Sequence, residues 1–463
     1  MIQTATSSVP SVPAAGTPLR GLAIAVVAAA FFCIDHRLFT SQMQDYGTTQ
    51  EELEQVAASA HLSNQVGFSL LAFLGAFLIA RKAGRPVGCD GLLPALMLFF
   101  GTWCLASTFW IADAGRTIRC FVVLVFFFLG VLGIARQLAP RDLCVLALGV
   151  ATIYAAVGAC VEVWLGTFTP FSPEYRFAGT LHPNGQGVNC AVLFLAAVAL
   201  LNVAKRGKPL LITLLVLGAI LLVLTRSRTS CGALLLALLA LQWLRPGARG
   251  VFMALGVTWS MGVLVLLAFL FGIDVQRQAA DALLLGRGEH ADSLNGRTEV
   301  WAEVVPYIRA RPLVGYGFRS FWNVDHIDAL SSTLDWGVNS AHSLYLEVCL
   351  SFGLVGAAAL LLVLAGGIRR AAKEYRRTGG AGHGLIFALL VYGVVHGALE
   401  SDLIEPSFLS FVAACGLSRL AFFRNDRTGH AKPEIAAGLE DRTAGRRAAV
   451  ALTPGQTPWN ELL

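Results

Sequence analysis

An all-α bundle of membrane-spanning helices is the fold class this chain predicts. Of its 463 residues 56% are hydrophobic and only 14% charged, and mean hydropathy is +0.66. About a dozen apolar stretches also alternate with charged or Gly/Pro punctuation. A soluble fold of this length has no way to hide so much apolar surface, and a hydrocarbon layer about 30 Å thick takes roughly 20 helical residues per crossing. About twelve spans are expected, near 20–35, 65–80, 91–112, 118–135, 143–165, 187–204, 209–225, 229–244, 251–272, 341–367, 385–400 and 407–423.

Residues 1–19 are rich in Ser, Thr, Pro and Ala and carry no basic n-region, and no small-x-small site precedes Asp35-His36-Arg37. The first span is therefore expected to be uncleaved behind a disordered cytoplasmic segment. Gly21–Ile34 and Val66–Ala80 are short for spans, so they must borrow flanking residues, tilt little or thin the bilayer. Alternate connections are basic: Arg81, Lys82 and Arg85; Arg136 and Arg141; Lys205, Arg206 and Lys208; Arg245 and Arg249; then Arg369, Arg370, Lys373, Arg376 and Arg377. The positive-inside rule places these five in the cytosol. The acidic first loop, with Asp45, Glu51, Glu52 and Glu54, then faces outward. So does a large periplasmic loop, 273–340, before the tenth helix. Residues 20–423 form the transmembrane domain, and the polar stretch 424–463 reads as a loose cytoplasmic tail.

Ten cysteines fall mostly within spans and never as Cys-x-x-Cys, a pattern of small packing residues and not of a zinc or redox centre. The net charge of +6 sits largely in the cytoplasmic loops, so it reflects topology and gives no reason to expect nucleic-acid binding. No internal repeat of the inverted-repeat transporter kind is visible.

Against this charge pattern, Arg176, Arg226, Arg228, Arg287, Arg297, Arg309, Arg311 and Arg319 fall outside the cytosol by loop parity, which calls for an anionic ligand. Four outward segments hold the candidates. In Tyr175-Arg176 through Gly187, Pro183 opens a helix whose free amides face the same compartment as Arg176; simple capping by His182 and Asn184 accounts for the spacing equally well. Thr225-Arg226-Ser227-Arg228 joins two apolar spans and pins two arginines at the membrane surface, where they line a wet cavity, meet an anion or snorkel to lipid phosphates. Gly296-Arg297 leads into a helix to about Ile308, with Arg297 and Trp301 sharing a face at i, i+4. Pro312 then breaks it, and Gly315-Tyr316-Gly317 makes a turn whose amides can approach a ligand. Finally, Ala341-His342-Ser343-Leu344-Tyr345 places His342 at a polar helix entrance, a catalytic or a structural position.

The order of these pieces over roughly 175–360 resembles the O-antigen ligase and polysaccharide polymerase superfamily, bacterial membrane glycosyltransferases. The resemblance rests on Arg176 with Gly179 and Pro183-Asn184, on Thr225-Arg226-Ser227-Arg228, and on Gly296-Arg297 with Trp301. It also rests on Pro312 through Phe318, and on Ala341 through Leu346 with Gly353 and Gly356. Ser343 departs from it, since many relatives have Asn there. The resemblance implies a GT-C-like helical fold in the bacterial inner membrane, with its active site facing the periplasm. It implies a donor glycan on undecaprenyl pyrophosphate, an acceptor that is lipid A core or another glycan, surrounding membrane lipids, and no metal or other cofactor.

Within that reading Arg176, Arg226, Arg228 and Arg297 bind pyrophosphate, since planar guanidinium groups grip its oxygens as charge develops on the leaving group. His342 is the base that removes the acceptor proton, and attack opposite the leaving group inverts the anomeric carbon. Asn184, Trp301, Tyr316 and Tyr345 are candidate substrate contacts. Ligase and polymerase differ in acceptor alone, and the ligase is the first expectation. A transporter or lipid flippase, with Glu162, His396 and Glu400 as its membrane charges, and a non-catalytic assembly scaffold are the more distant alternatives.

Overall fold

The computed structural model describes residues 17–35, 50–81, 85–111, 114–172, 175–244, 296–334 and 336–423. Their regular structure is helical, with no strand among the described residues. The described residues all fall within one compact unit, and 424–463 lie outside the described set. In chain order the helices are α1 (Thr17–Asp35), α2 (Gln50–Ala80), α3 (Leu92–Ala106) with a 3-10 turn at Ser107–Trp110, α4 (Ala114–Gln137), α5 (Pro140–Leu165), α6 (Pro183–Leu201), α7 (Lys208–Thr225), α8 (Arg228–Trp243), α9 (Arg297–Ala310), α10 (Val324–Leu334), α11 (Leu344–Thr378), α12 (Ala381–His396) and α13 (Phe408–Phe422).

Eight of these are long and apolar enough to cross a membrane, and α8, α12 and α13 are shorter apolar helices. The chain is a multi-pass membrane protein. Apolar helices stand at eleven of the expected positions, eight of them long enough to cross; the ninth, 251–272, lies outside the described residues, as do Arg287, the basic pair Arg245 and Arg249, and residues 1–16. Sequence chemistry sets the ends. Pro140 and Pro183 open α5 and α6, where a missing amide costs nothing. Gly166 in the left-handed region closes α5, and Ser407 caps α13 by accepting from the Ser410 amide.

Helix α11 runs past the expected end near 367 because Ala, Arg, Lys and Glu extend a helix readily and Arg370 pairs with Glu374 one turn on, 3.6 Å away. Small residues let backbones meet. A Cβ on Gly75 of α2 would lie 2.2 Å from the Leu129 carbonyl oxygen of α4, and one on Gly133 would lie 2.6 Å from the Gly75 carbonyl oxygen. Such close approach stabilises helix pairs where hydrophobic burial against lipid does not.

The connections segregate into two ends. At one, Arg136 donates to the Ile79 carbonyl at 2.6 Å, Arg20 pairs with Asp142 at 3.2 Å, and the Gly88 amide donates to the Phe422 carbonyl at 2.8 Å. This is the end of the basic loops. At the other, Asp35 accepts the Phe408 amide at 3.2 Å, and the segments expected to face outward gather. There α9 and α10 fold over the start of α11 with a small core of their own, including Val300, Val304, Phe321, Leu330 and Leu350.

The Pro312–Gly317 segment has a structural partner that the sequence does not announce. Helix α11 breaks at Gly353 (φ 66°, ψ −173°), a backbone region open essentially to glycine alone. The freed groups bond to the loop: Leu354 N to Pro312 O at 2.7 Å, Tyr316 N to Leu350 O at 2.7 Å and Gly317 N to Ser351 O at 2.9 Å. A Cβ on Gly353 would lie 2.2 Å from the Leu313 carbonyl, and one on Gly315 would lie 2.6 Å from the Leu350 carbonyl oxygen. The Gly-x-Gly turn, expected to approach a ligand, lies against α11.

Candidate functional site

Glu400, just beyond α12, is the hub. Its Oε1 accepts from Arg297 Nη2 at 2.5 Å and from Asn184 Nδ2 at 2.8 Å, and its Oε2 faces His342 Nδ1 at 3.5 Å. Asn184 Oδ1 accepts in turn from Arg176 Nη2 at 2.9 Å, and Arg176 Nε donates to the Thr225 carbonyl at 3.0 Å. Four candidate residues from three distant segments therefore join through one carboxylate, Arg176 by way of Asn184. Burial works to raise the pKa of Glu400, but the His342 hydrogen bond and the Arg297 charge outweigh it, so the carboxyl sits below its usual range and is ionised at neutral pH.

Backbone geometry aims these groups. Among the described residues, the non-glycines with positive φ are Arg226 (50°), Arg319 (53°) and His342 (47°), a conformation rare enough to mark a site held by its surroundings. The His342 turn is clamped from three directions. Trp301 Nε1 donates to the Ala341 carbonyl at 2.8 Å, Glu347 accepts the Ala341 amide at 2.7 Å, and Ser340 Oγ accepts the His342 amide at 3.1 Å. Glu347 itself takes Trp322 Nε1 at 3.0 Å and Ser340 Oγ at 3.2 Å. On the other side, Glu162 fixes the loop that presents Arg176. It accepts the Ala178 and Gly179 amides at 2.8 and 2.6 Å and the Tyr175 hydroxyl. Burial and then Glu162 push the Tyr175 phenol up, so it stays a donor.

Arg226, the residue after the Thr225 whose carbonyl Arg176 reaches, caps α7 and donates to the Ser172 carbonyl at 3.2 Å. Arg228, half-buried, opens α8 at the same turn. Trp301 and Tyr345 are occupied locally, the latter donating to the Val394 carbonyl at 2.7 Å. Tyr316 lies apart, edge-on to Phe321 and His326 and under Arg311 at 4.8 Å. Arg319 pairs with Glu405 at 3.5 Å. Among the described residues no group of three or more His, Cys, Asp or Glu side chains is placed to hold a metal ion.

Sequence reasoning counted Glu400 only among charges that a transporter would use. The signal was present: an acid within an apolar stretch needs a partner, and arginine is the natural one. A second polar chain was likewise missed. Ser227 Oγ lies 3.0 Å from Ser230 Oγ, Ser230 Oγ lies 3.2 Å from His396 Nε2, and His396 Nδ1 faces Asp402 at 3.5 Å.

Residues 213–361, from α7 into α11, match the model of the O-antigen ligase family. That span holds Arg226, Arg228, Arg297 and His342, while Arg176, Asn184 and Glu400 lie outside it. The exopolysaccharide production protein ExoQ of Rhizobium meliloti (strain 1021) is 24% identical over 194 residues, 39% of this chain. The alignment covers 42% of that relative's length. The matched segment and the relative are each similar to part of this chain and agree with its resemblance to the O-antigen ligase and polysaccharide polymerase superfamily.

Proposed function

We propose that the chain is an O-antigen-ligase-like glycosyltransferase that moves a glycan from undecaprenyl pyrophosphate to an acceptor sugar hydroxyl at the periplasmic face. The observation that carries this is the joining of Arg176, Asn184, Arg297 and His342 through Glu400. An Nδ1–H directed at Glu400 leaves the Nε2 lone pair of His342 for the acceptor hydroxyl. In the transfer the bond between the anomeric carbon and the pyrophosphate oxygen breaks, and its electron pair leaves with the pyrophosphate. The acceptor oxygen bonds to the opposite face of that carbon, inverting it, and its proton passes to Nε2. Arg176, Arg226, Arg228 and Arg297 stabilise the charge growing on the leaving group, the role a divalent cation has in other transferases.

The test is Arg297→Lys, which keeps the charge and loses the planar fork. Transfer from a polyprenyl-pyrophosphate glycan is expected to fall by tenfold or more; wild-type rates would remove Arg297 from the phosphate site. A polymerase of surface or exopolysaccharide is the second reading, favoured by the exopolysaccharide role in the relative's name. Deletion decides between them. Lost core-attached glycan with retained lipid-linked polymer supports ligation, whereas single-repeat products support polymerisation.

A further inference from the structure

Beside Glu400 a cavity of about 250 Å³ enters the bundle between the end of α1, the middle of α5, the first turns of α6 and the start of α13. This is below the roughly 300 Å³ at which drug-sized pockets begin, a scale that suits a single sugar ring. Its wall is part carboxylate, part amide and part aromatic. Asp35, Asp402 and Glu400 supply its carboxylates, Asn184 and Asn189 its amides, His182 an imidazole, and Tyr154 and Phe408 its aromatic rings. Asn189 is 4% exposed and donates Nδ2 to the Ala151 carbonyl at 3.2 Å. Its Oδ1 is buried with no hydrogen-bond partner among the described residues. A buried acceptor is costly to leave unmade, and this one belongs to a cavity-lining residue.

We infer that this cavity seats one uncharged sugar ring of the acceptor glycan and that its acidic wall excludes uronic acids. The inference rests on the transferase reading above. A ring presents hydroxyl donors to Asn189 Oδ1 and to the carboxylates, and a C–H face to the aromatic side chains. The donor's first sugar hangs from a pyrophosphate and must lie against the arginines, and none of the four candidate arginines is in this wall. The wall also contains Glu400, whose other oxygen faces His342, so a ring seated here lies beside the residue that holds the base. Burial, and then Glu400 and Glu405, hold the Asp402 carboxyl up at about 7; a field that already resists one carboxylate repels another.

The test uses the full chain in nanodiscs free of sugar detergents, with glucose, galactose, mannose and rhamnose as neutral probes and glucuronate and galacturonate as charged ones. Saturation-transfer NMR is expected to show binding of at least one neutral sugar, weakened tenfold or more by Asn189→Leu. The uronates are expected to show no signal that depends on Asn189. Absent binding of every neutral sugar, binding unchanged in Asn189→Leu, or uronate binding with the same Asn189 dependence each overturns the inference. The neutral-against-uronate comparison on the unaltered chain does not depend on how any variant folds. Sugar binding without transfer from a polyprenyl-pyrophosphate donor keeps the cavity assignment and removes the transferase reading; transfer without sugar binding does the reverse.

Discussion

In the proposed transfer, His342 and Glu400 concentrate the chemistry in two side chains 3.5 Å apart. Replacing His342 with Ala removes the proton acceptor, and the transfer rate is expected to fall on the order of 100- to 10,000-fold while the protein stays inserted and folded. Glu400→Gln removes the anion from both Arg297 and His342, with an expected loss of roughly tenfold or more; steady-state rates of both purified variants check this. Asp402 makes a separate prediction. Its carboxyl is lifted from 3.8 to about 7 in the folded protein, so between about pH 4 and 7 the folded state holds a proton that the unfolded state has lost. Stability from this group is therefore highest at low pH and falls as pH rises through that window. Thermal unfolding in detergent across pH 5 to 8 is expected to be flatter for Asp402→Asn than for the wild type, and an identical slope would contradict it.

Among the elements, the break in α11 is the feature that a local pattern conceals. The apolar runs made helix positions legible: 209–225 became Lys208–Thr225 and 229–244 became Arg228–Trp243, since hydrophobic length and flanking charge fix where a crossing starts and stops. The docking of Pro312–Gly317 onto Gly353 was not legible, because it pairs groups about forty residues apart and each glycine alone reads as an ordinary turn. Glu400 stayed hidden for a related reason. The expected span ran to 400, whereas α12 ends at His396 and releases the carboxylate into the arginine cluster. Gly353→Ala is expected to cost on the order of 1–3 kcal/mol from its backbone alone, with more from the Leu313 carbonyl 2.2 Å from the new methyl group. Gly101→Ala, where nothing lies within 4 Å, is the control and is expected to melt at the wild-type temperature or slightly above.

The whole molecule separates two kinds of basic residue, loop cations at one end and Arg176, Arg226, Arg228 and Arg297 at the other. From the positive-inside rule we propose that the second group faces outside. In a background lacking the ten native cysteines, Phe171→Cys, on the α5–α6 connection and 99% exposed, is expected to react with a membrane-impermeant maleimide in intact spheroplasts. Arg377→Cys, at the basic end of α11 and 65% exposed in its side chain, is expected to react only after lysis. The reverse pattern would put the site in the cytosol. The central claim is that arginines and one histidine, without a metal, transfer a glycan from a lipid pyrophosphate. Its most direct test gives the purified full-length protein a synthetic undecaprenyl-pyrophosphate glycan and an acceptor glycan in the presence of a chelator. The account predicts an inverted glycosidic product from the wild type and none from His342→Ala; no product from the wild type, or equal product from both, would contradict it.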